Sequence, residues 1–433
     1  MFQEKFKYNL GMIFVALIQI IGVVLLFLAP SFNTDFNTTY SILTSLGKLF
    51  GVLGITLFAT SLLLSARFKF LENIFYGLNK VYERHSQIGQ IAFMMMLFHP
   101  LLLLYKYTDL SFGRVLSFFT PSEYTWANNF GMISLYLLIV LIFLTLYFRP
   151  KYHIWKWTHK FMGLAFFLGG LHAFLVPSDI ASYLPLRVYI LAISGVALYA
   201  FLYHTVFGKY TTKKYSYLVK EVKDLGENIT EVILSPNKEK LDFKAGQYAF
   251  ISFESKTTGK ESHPFSFSSK QGENDISFTI KNLGDFTQNI KNLEKGTLAR
   301  VEGPFGKFTF DSAVSKKQIW IAGGIGITPF LSMAKSITHE NGYQVDLYYC
   351  VRNEKEAVYL NELLSLNNPQ IKVIPFYSDQ DGFINANIIK EKSGLNEKSI
   401  FICSPVGMIR ALKKQFKSNG INDSFIYSEE FSL

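Results

Sequence analysis

Along the first half of the chain, apolar residues run on without the polar face that a surface helix needs, in stretches of bilayer length. Six stand out: Asn9 to Leu28, Ser41 to Ala66, His85 to Tyr105, Phe130 to Phe148, Trp157 to Val176 and Leu184 to Phe207. Each is close to the roughly 20 residues a helix needs to cross. The pattern changes just after Phe207. From Lys209 to about Ser312, apolar and polar positions alternate in YSYLVKEVKD, ITEVILSP, QYAFISFES, DISFTIKN and TLARVEGPFGKFTF, with Gly and Asn/Asp turns between them. Alternation of this kind predicts a small antiparallel β-barrel. From Lys317 the order becomes strand, glycine-rich turn, helix and strand in QIWIAGGIGITPFLSMAKSITHE, VDLYYCVRN, IKVIPFYS and SIFICSPVGMIRALKKQF. That order predicts a parallel α/β sheet. The expectation is a multi-domain membrane protein: a six-helix bundle over 1–208, a barrel over 209–312 and an α/β domain over 313–433.

Two of the apolar stretches each carry a pair of histidines, His85 with His99 and His159 with His172. An ionisable side chain in hydrocarbon is costly, so an intramembrane histidine marks function by default. Separations of 14 and 13 residues put the members of each pair about 20 Å apart along the helix axis, one near each membrane face. If the helices run side by side, His85 faces His159 and His99 faces His172, giving two bis-imidazole sites that suit b-type haem. Four unrelated polar residues lining a bundle or a proton path are the competing reading. At about 100° per residue, 14 positions return to within roughly 40° of the start, but 13 miss by about 140°. The second helix must therefore tighten, kink or approach its haems from different sides, and Gly163, Gly169 and Gly170 would permit such irregularity.

Loop charges add an orientation. Lys5, Lys7, Arg67, Lys69, Lys80, Arg84, Arg149, Lys151, Lys156, Lys160, Lys209, Lys213 and Lys214 fall on one side, against Lys106, Arg114 and Arg187 on the other. The positive-inside rule then makes both termini cytoplasmic in a multi-pass cell-membrane protein, with His85 and His159 as the inner pair. The first span has no small-residue cleavage site after it and reads as a retained anchor. These flanks and the lysines of the second half account for the formal net charge of +10, and no basic block with interleaved aromatics argues for nucleic acid. The two cysteines, Cys350 and Cys403, imply no disulfide framework, covalent haem attachment or iron–sulfur cluster.

Lys48 sits inside the second span, about a third of the way in from the outer face, where an ammonium needs a partner, a watery cavity or a route to snorkel. It is either a snorkelling residue or a cation for an outer haem propionate or for an anion formed there. Arg67, at the inner end of the same helix, serves the inner propionates or the charge rule alone. In the last third, Gly323, Gly324 and Gly326 in AGGIGITPFLS follow a strand and open a helix, where backbone N–H groups can approach a pyrophosphate. A purely structural turn is the other reading. Arg352, past the next strand, stands where a cation reads a 2′-phosphate, favouring NADPH over NADH, or is a solvated surface residue.

Together these residues make the chain resemble the NADPH oxidase and ferric reductase superfamily, most closely its prokaryotic NADPH oxidases, over essentially its whole length. The resemblance implies a six-helix dihaem domain with histidine pairs on the third and fifth spans, followed by a module like ferredoxin–NADP reductase. HPFSFSS looks like the flavin motif, with His263, Pro264 and Phe265 at the ring pocket and Ser266 bonding the flavin. FTIKNLGDFT resembles the flavin pyrophosphate segment, with Lys281 where arginine is common and Thr287 at its end. AGQYAFI, from Gly246 to Tyr248, also fits the barrel. For the nicotinamide nucleotide the matching pieces are Gly303 and Pro304 in GPFG, Gly323 to Thr328 and Pro329 in GGIGITP, Arg352, and Cys403, Ser404 and Pro405 in CSPVGM. Phe431, near the end, matches the aromatic that covers the flavin ring. The basic residue in the outer third of the second helix, usually arginine in the oxidases, is Lys48, which keeps the charge and loses the planar fork.

By that resemblance, hydride passes from cytoplasmic NADPH, with NADH possible, to FAD. Electrons then cross singly through two b-type haems to oxygen near Lys48, His99 and Arg187, forming superoxide. A ferric or cupric chelate reductase uses the same path, and a haem sensor or electron-transfer subunit is the alternative of a different class. No calcium-binding loop, SH3-type proline motif or long regulatory tail occurs, so activity without cytosolic activators is expected.

Overall fold

The structure, a computed structural model, describes residues 2–32, 37–105, 119–120, 126–148, 150–208, 212–255, 257–259 and 261–430. Lys106, Arg114, Arg149, Lys209 and Phe431 lie outside them. Contacts divide the chain into two units, Met1–Thr212 and Lys213–Leu433.

The first unit is helical. Its elements are α1 (Phe2–Phe27), α2 (Thr39–Leu64), α3 (Lys69–Phe75), α4 (Leu78–Leu104), α5 (Trp126–Phe143), α6 (Tyr152–His159), α7 (Met162–Leu175) and α8 (Leu184–Phe201). Helix α2 starts at a reciprocal cap in which Thr38 Oγ1 accepts from the Ser41 N–H at 3.1 Å and Ser41 Oγ accepts from the Thr38 N–H at 3.3 Å. Glycines on α2 let α4 approach: a Cβ on Gly47, Gly51 or Gly54 would lie 2.8 Å from Leu103, His99 or Met96 respectively.

Among the described residues, five helices are long and apolar enough to cross a membrane, Asn9–Phe27, Thr39–Leu64, Leu78–Leu104, Trp126–Phe148 and Leu184–Val206. The expected fifth span, Trp157 to Val176, is not a single helix. It is split between α6, of 8 residues, and α7, of 14. The join is wound as 3₁₀, with i→i−3 bonds from Lys160 to Trp157 (3.3 Å), Phe161 to Thr158 (3.0 Å) and Gly163 to Lys160 (3.2 Å). The irregularity in this segment thus falls at Lys160–Phe161 and not at Gly169 or Gly170. Gly163 has a second reason to be glycine, since its Cβ would lie 2.2 Å from the Phe201 ring on α8.

The second unit opens with a barrel-like antiparallel sheet of order β4-β3-β6-β1-β2-β5, where β1 is Tyr215–Asp224, β2 Ile229–Pro236, β3 Tyr248–Phe253, β4 His263–Ser266, β5 Ile276–Lys281 and β6 Leu298–Phe305. Its core gathers Tyr217, Phe253, Phe267 and Phe278, all fully buried. A parallel sheet of order β11-β10-β7-β8-β9 follows, from β7 (Lys317–Gly323), β8 (Gln344–Val351), β9 (Ile371–Tyr377), β10 (Ser399–Ser404) and β11 (Ile426–Glu430). Both faces of β7 are covered, with Trp320 and Ala322 in one core and Ile319 and Ile321 in the other. Because the chain runs β7, β8, β9 to one side and returns to the other with β10, the sheet has its switch point between the carboxyl ends of β7 and β10. Ligands of open α/β sheets bind at such a crevice.

Candidate functional site

In the helical unit the four histidines meet in two pairs. His85 on α4 and His159 on α6 have ring centroids 6.2 Å apart with planes crossed at 75°; His99 and His172 lie 6.4 Å apart at 70°. Three of the rings are pinned. Nδ1 of His85 lies 2.7 Å from the Ser61 carbonyl, that of His99 2.7 Å from the Gly47 carbonyl and that of His172 2.8 Å from the Ala127 carbonyl. A carbonyl oxygen can only accept, so each Nδ1 is the protonated nitrogen and Nε2 keeps its lone pair for a ligand. The ring of His172 fits only because Gly131 faces it, since a Cβ there would lie 2.7 Å from Nδ1. Ser61 is a residue the sequence did not single out; its hydroxyl also sits 3.0 Å from His85 Nδ1.

Lys48 is not a bare cation. Its ammonium lies 2.9 Å from Oδ2 of the buried Asp179, whose Oδ1 accepts from Ser31 Oγ at 2.7 Å. Asp179 escaped sequence reading because a carboxylate after Pro-Ser reads as a helix cap, and only the fold brings it to Lys48. Lys48 follows Gly47, whose carbonyl holds His99. Arg67 donates from Nε to the Tyr82 hydroxyl and lies over that ring at 5.9 Å. Arg187 packs its guanidinium 4.4 Å above Phe174, two residues from His172.

On the barrel, β4 presents the flavin-motif residues. His263 Nε2 lies 3.0 Å from Glu261 Oε2, and its ring packs 4.2 Å from Phe286, which also stacks with Phe265 at 6.3 Å. Pro264 pairs in register with Phe250. Ser266 Oγ is buried and has no hydrogen-bond partner among the described residues, the condition of a donor waiting for a ligand. Thr287 spends its hydroxyl locally, accepting from the Leu283 and Gly284 N–H groups at 2.9 Å each, so it shapes the turn and leaves no free hydroxyl hydrogen-bonding capacity for a phosphate. Lys281, at the end of β5, lines a crevice with Glu227, Ile229, Glu356 and the glycine turn at Gly324 and Ile325.

The glycines of that turn have separate structural reasons. Gly324 has φ +56°, a Cβ on Gly323 would lie 2.6 Å from Ser404 Cβ, and a Cβ on Gly326 would lie 2.0 Å from the Cys403 carbonyl oxygen. Cys403 to Pro405 therefore form the facing wall at the switch point. The Cys403 thiol points into the core, fully buried, so its part in the wall is played by its backbone. Ser404 Oγ is buried without a hydrogen-bond partner among the described residues. Burial pushes the Cys350 thiol up to about 12 and the Cys403 thiol well above its usual value, which removes both as nucleophiles. Thr328 donates to the Ile325 carbonyl at 3.1 Å and closes the turn into α9 (Ile327–Ser336), with Pro329 buried behind it. Gly303, at φ +158°, lies with Pro304 among the last residues of β6, and a Cβ on Gly303 would meet Ala249 at 3.2 Å. Arg352 is exposed, with its carbonyl accepting from the Asp379 N–H at 3.0 Å.

Comparison with known proteins bears on both units. Residues 50–170 match a ferric reductase like transmembrane component, 214–319 an FAD-binding domain and 320–414 an oxidoreductase NAD-binding domain. The chain is similar to a flavohemoprotein of Rhodopirellula baltica, 26% identical over 49% of this chain and 59% of that one, and to the electron transfer component of toluate 1,2-dioxygenase of Pseudomonas putida, 25% identical over 50% and 68%. The match to the first thus spans about three fifths of that relative's own length. A flavohemoglobin structure from Malassezia yamatoensis aligns with a TM-score of 0.51 at 15% identity, covering 93% of this chain and 100% of that one, a likeness of fold alone. These findings make the protein a multi-pass membrane oxidoreductase with domains for FAD and a nicotinamide nucleotide. A ferric reductase like transmembrane component followed by an FAD-binding and an NAD-binding domain is the architecture of the NADPH oxidase and ferric reductase superfamily, and this chain has it.

Proposed function

We propose that the protein is a transmembrane NADPH oxidase, moving electrons from cytoplasmic NADPH through FAD and two b-type haems to oxygen at the outer face of the cell membrane, where superoxide forms. The observation that carries this reading is the spacing of the histidines. If each Nε2 bound one metal at about 2 Å, with about 1.1 Å more from nitrogen to ring centre, the two ring centres would stand about 6.2 Å apart. The pairs stand at 6.2 and 6.4 Å. Each pair would offer two imidazole nitrogens to a b-type haem, the ligand set such a group takes.

When bound, flavin and haem supply the conversion of a two-electron hydride into single electrons. The chain's own residues bind and orient. The carbonyls of Ser61, Gly47 and Ala127 fix the tautomer that offers Nε2. Ser266 offers its buried hydroxyl to the flavin, and the glycines opposite Cys403–Pro405 keep the switch-point crevice open for the nucleotide. The exposed Arg352 favours a 2′-phosphate. Histidines on both sides of a bound haem would leave no open position at its metal, so an acceptor would meet only its edge, which suits oxygen taking one electron without binding. Lys48 and Asp179 give that end of the bundle a neutralised polar pair.

Purified full-length protein in detergent tests the reading. It should show low-spin b-haem absorption and, with NADPH and FAD but no second subunit, reduce cytochrome c in a reaction that superoxide dismutase suppresses. Dismutase-insensitive reduction with fast turnover of a ferric chelate would replace oxygen by a metal chelate as the acceptor. Protein that stays inert until another subunit is added would overturn the prediction of unassisted activity.

A further inference from the structure

We infer that Trp155 is a positioning residue for His159, doing with its indole face what a backbone carbonyl does for the other three histidines. The inference rests on the reading that the histidine pairs are metal ligands. Three imidazoles donate from Nδ1 to a carbonyl on a neighbouring helix. Such a bond weakens steeply when bent, so it fixes the rotation of the ring about Cβ–Cγ, a torsion that is otherwise broad. His159 lacks that restraint: its Nδ1 is buried and has no hydrogen-bond partner among the described residues. Its ring is instead stacked on Trp155, one helical turn earlier on α6, with centroids 5.0 Å apart and planes 28° from parallel.

The location gives the stack its importance. His159 is the last residue of α6, and the 3₁₀ join begins immediately after it, with Lys160 bonding back to Trp157 and Phe161 to Thr158. The main chain beyond His159 is the least regular part of this segment, so backbone geometry restrains the ring less here than inside α4 or α7. Stacking restrains a plane without selecting a nitrogen. It sets the 75° crossing with His85 while leaving Nδ1 uncommitted. The two metal sites therefore differ in construction: the His99–His172 site has both rings pinned by hydrogen bonds, the His85–His159 site has one pinned and one stacked.

The test compares wild type, Trp155→Leu and Trp155→Phe as full-length detergent-purified proteins, by bound haem per chain and by electron paramagnetic resonance of the oxidised protein. A His85→Ala variant assigns which low-spin signal belongs to the His85–His159 site. In Trp155→Leu that signal should shift or vanish and bound haem should fall, while the other signal keeps its position. Trp155→Phe, which retains a stacking face, should restore the wild-type signal. Both signals unchanged in Trp155→Leu would overturn the inference, and so would loss of both together, which marks a general folding role. Wild-type protein without any low-spin haem would instead sink the metal-ligand reading on which the inference stands.

Discussion

At the scale of single residues, the chemistry lies in which atom of each histidine is left over. The four histidines were legible because an ionisable side chain in an apolar run stands out against its surroundings. Their restraints were not, since a carbonyl acceptor belongs to every residue type and Gly47, Ser61 and Ala127 carry no mark of that duty. Asp179 stayed hidden for a different reason: its pairing with Lys48 spans 131 positions. The glycines facing the rings give a direct prediction. A methyl group at Gly131 would lie 2.7 Å from His172 Nδ1, and one at Gly51 2.8 Å from the His99 ring. Either ring must then move and lengthen its bond to the backbone. Gly131→Ala and Gly51→Ala are expected to lower haem at the His99–His172 site several-fold and spare the other, as read by bound haem and by the low-spin signal of each site. Equal loss from both sites would contradict this.

At the scale of elements, the period of the apolar pattern located most helices and strands, because each buries a face that repeats with its own geometry. It overcounted the intact spans by one. The 3₁₀ join at Lys160–Phe161 uses no proline or other breaker, so composition alone does not announce it. It likewise passed over β11, whose sequence IYSEE is short and polar for a strand lying at the sheet edge. Within Lys213–Leu433, α9 ties the two sheets together: Ser332 Oγ donates to the Ser269 carbonyl at 2.6 Å, and Ser336 Oγ accepts from the Gln271 N–H at 3.1 Å. These residues are i and i+4 on one face of the helix. Ser332→Ala strands a buried carbonyl and should cost about 1–3 kcal/mol. Thermal release of flavin from the full-length protein, followed by its fluorescence, should come several degrees earlier; an unchanged release temperature would show the seam to be held elsewhere.

At the scale of the whole molecule, the order of the parts was plain from the switch between three patterns, whereas the division after Thr212 depends on contacts that no pattern states. On the proposed reading, electron supply and electron carriage reside in different stretches of chain, so a lesion in one should leave the other able to work. Gly326→Ala would press a methyl group to 2.0 Å from the Cys403 carbonyl and close the switch-point wall. On the proposed reading, NADPH should then reduce the haems at least tenfold more slowly, while dithionite still reduces them fully in a stopped-flow trace. Parallel loss of dithionite-reducible haem would show that the two stretches do not act separately.

The carbonyls that hold His85, His99 and His172 carry one more implication, for inheritance. A side chain that performs a duty can be erased by a single codon change, but every amino acid brings its own peptide oxygen, so no substitution at position 47, 61 or 127 deletes the acceptor itself. Sequence around these helices can therefore change and still leave the proton on the same ring nitrogen, so long as the glycines that set the close approach, Gly47, Gly51 and Gly131, are kept.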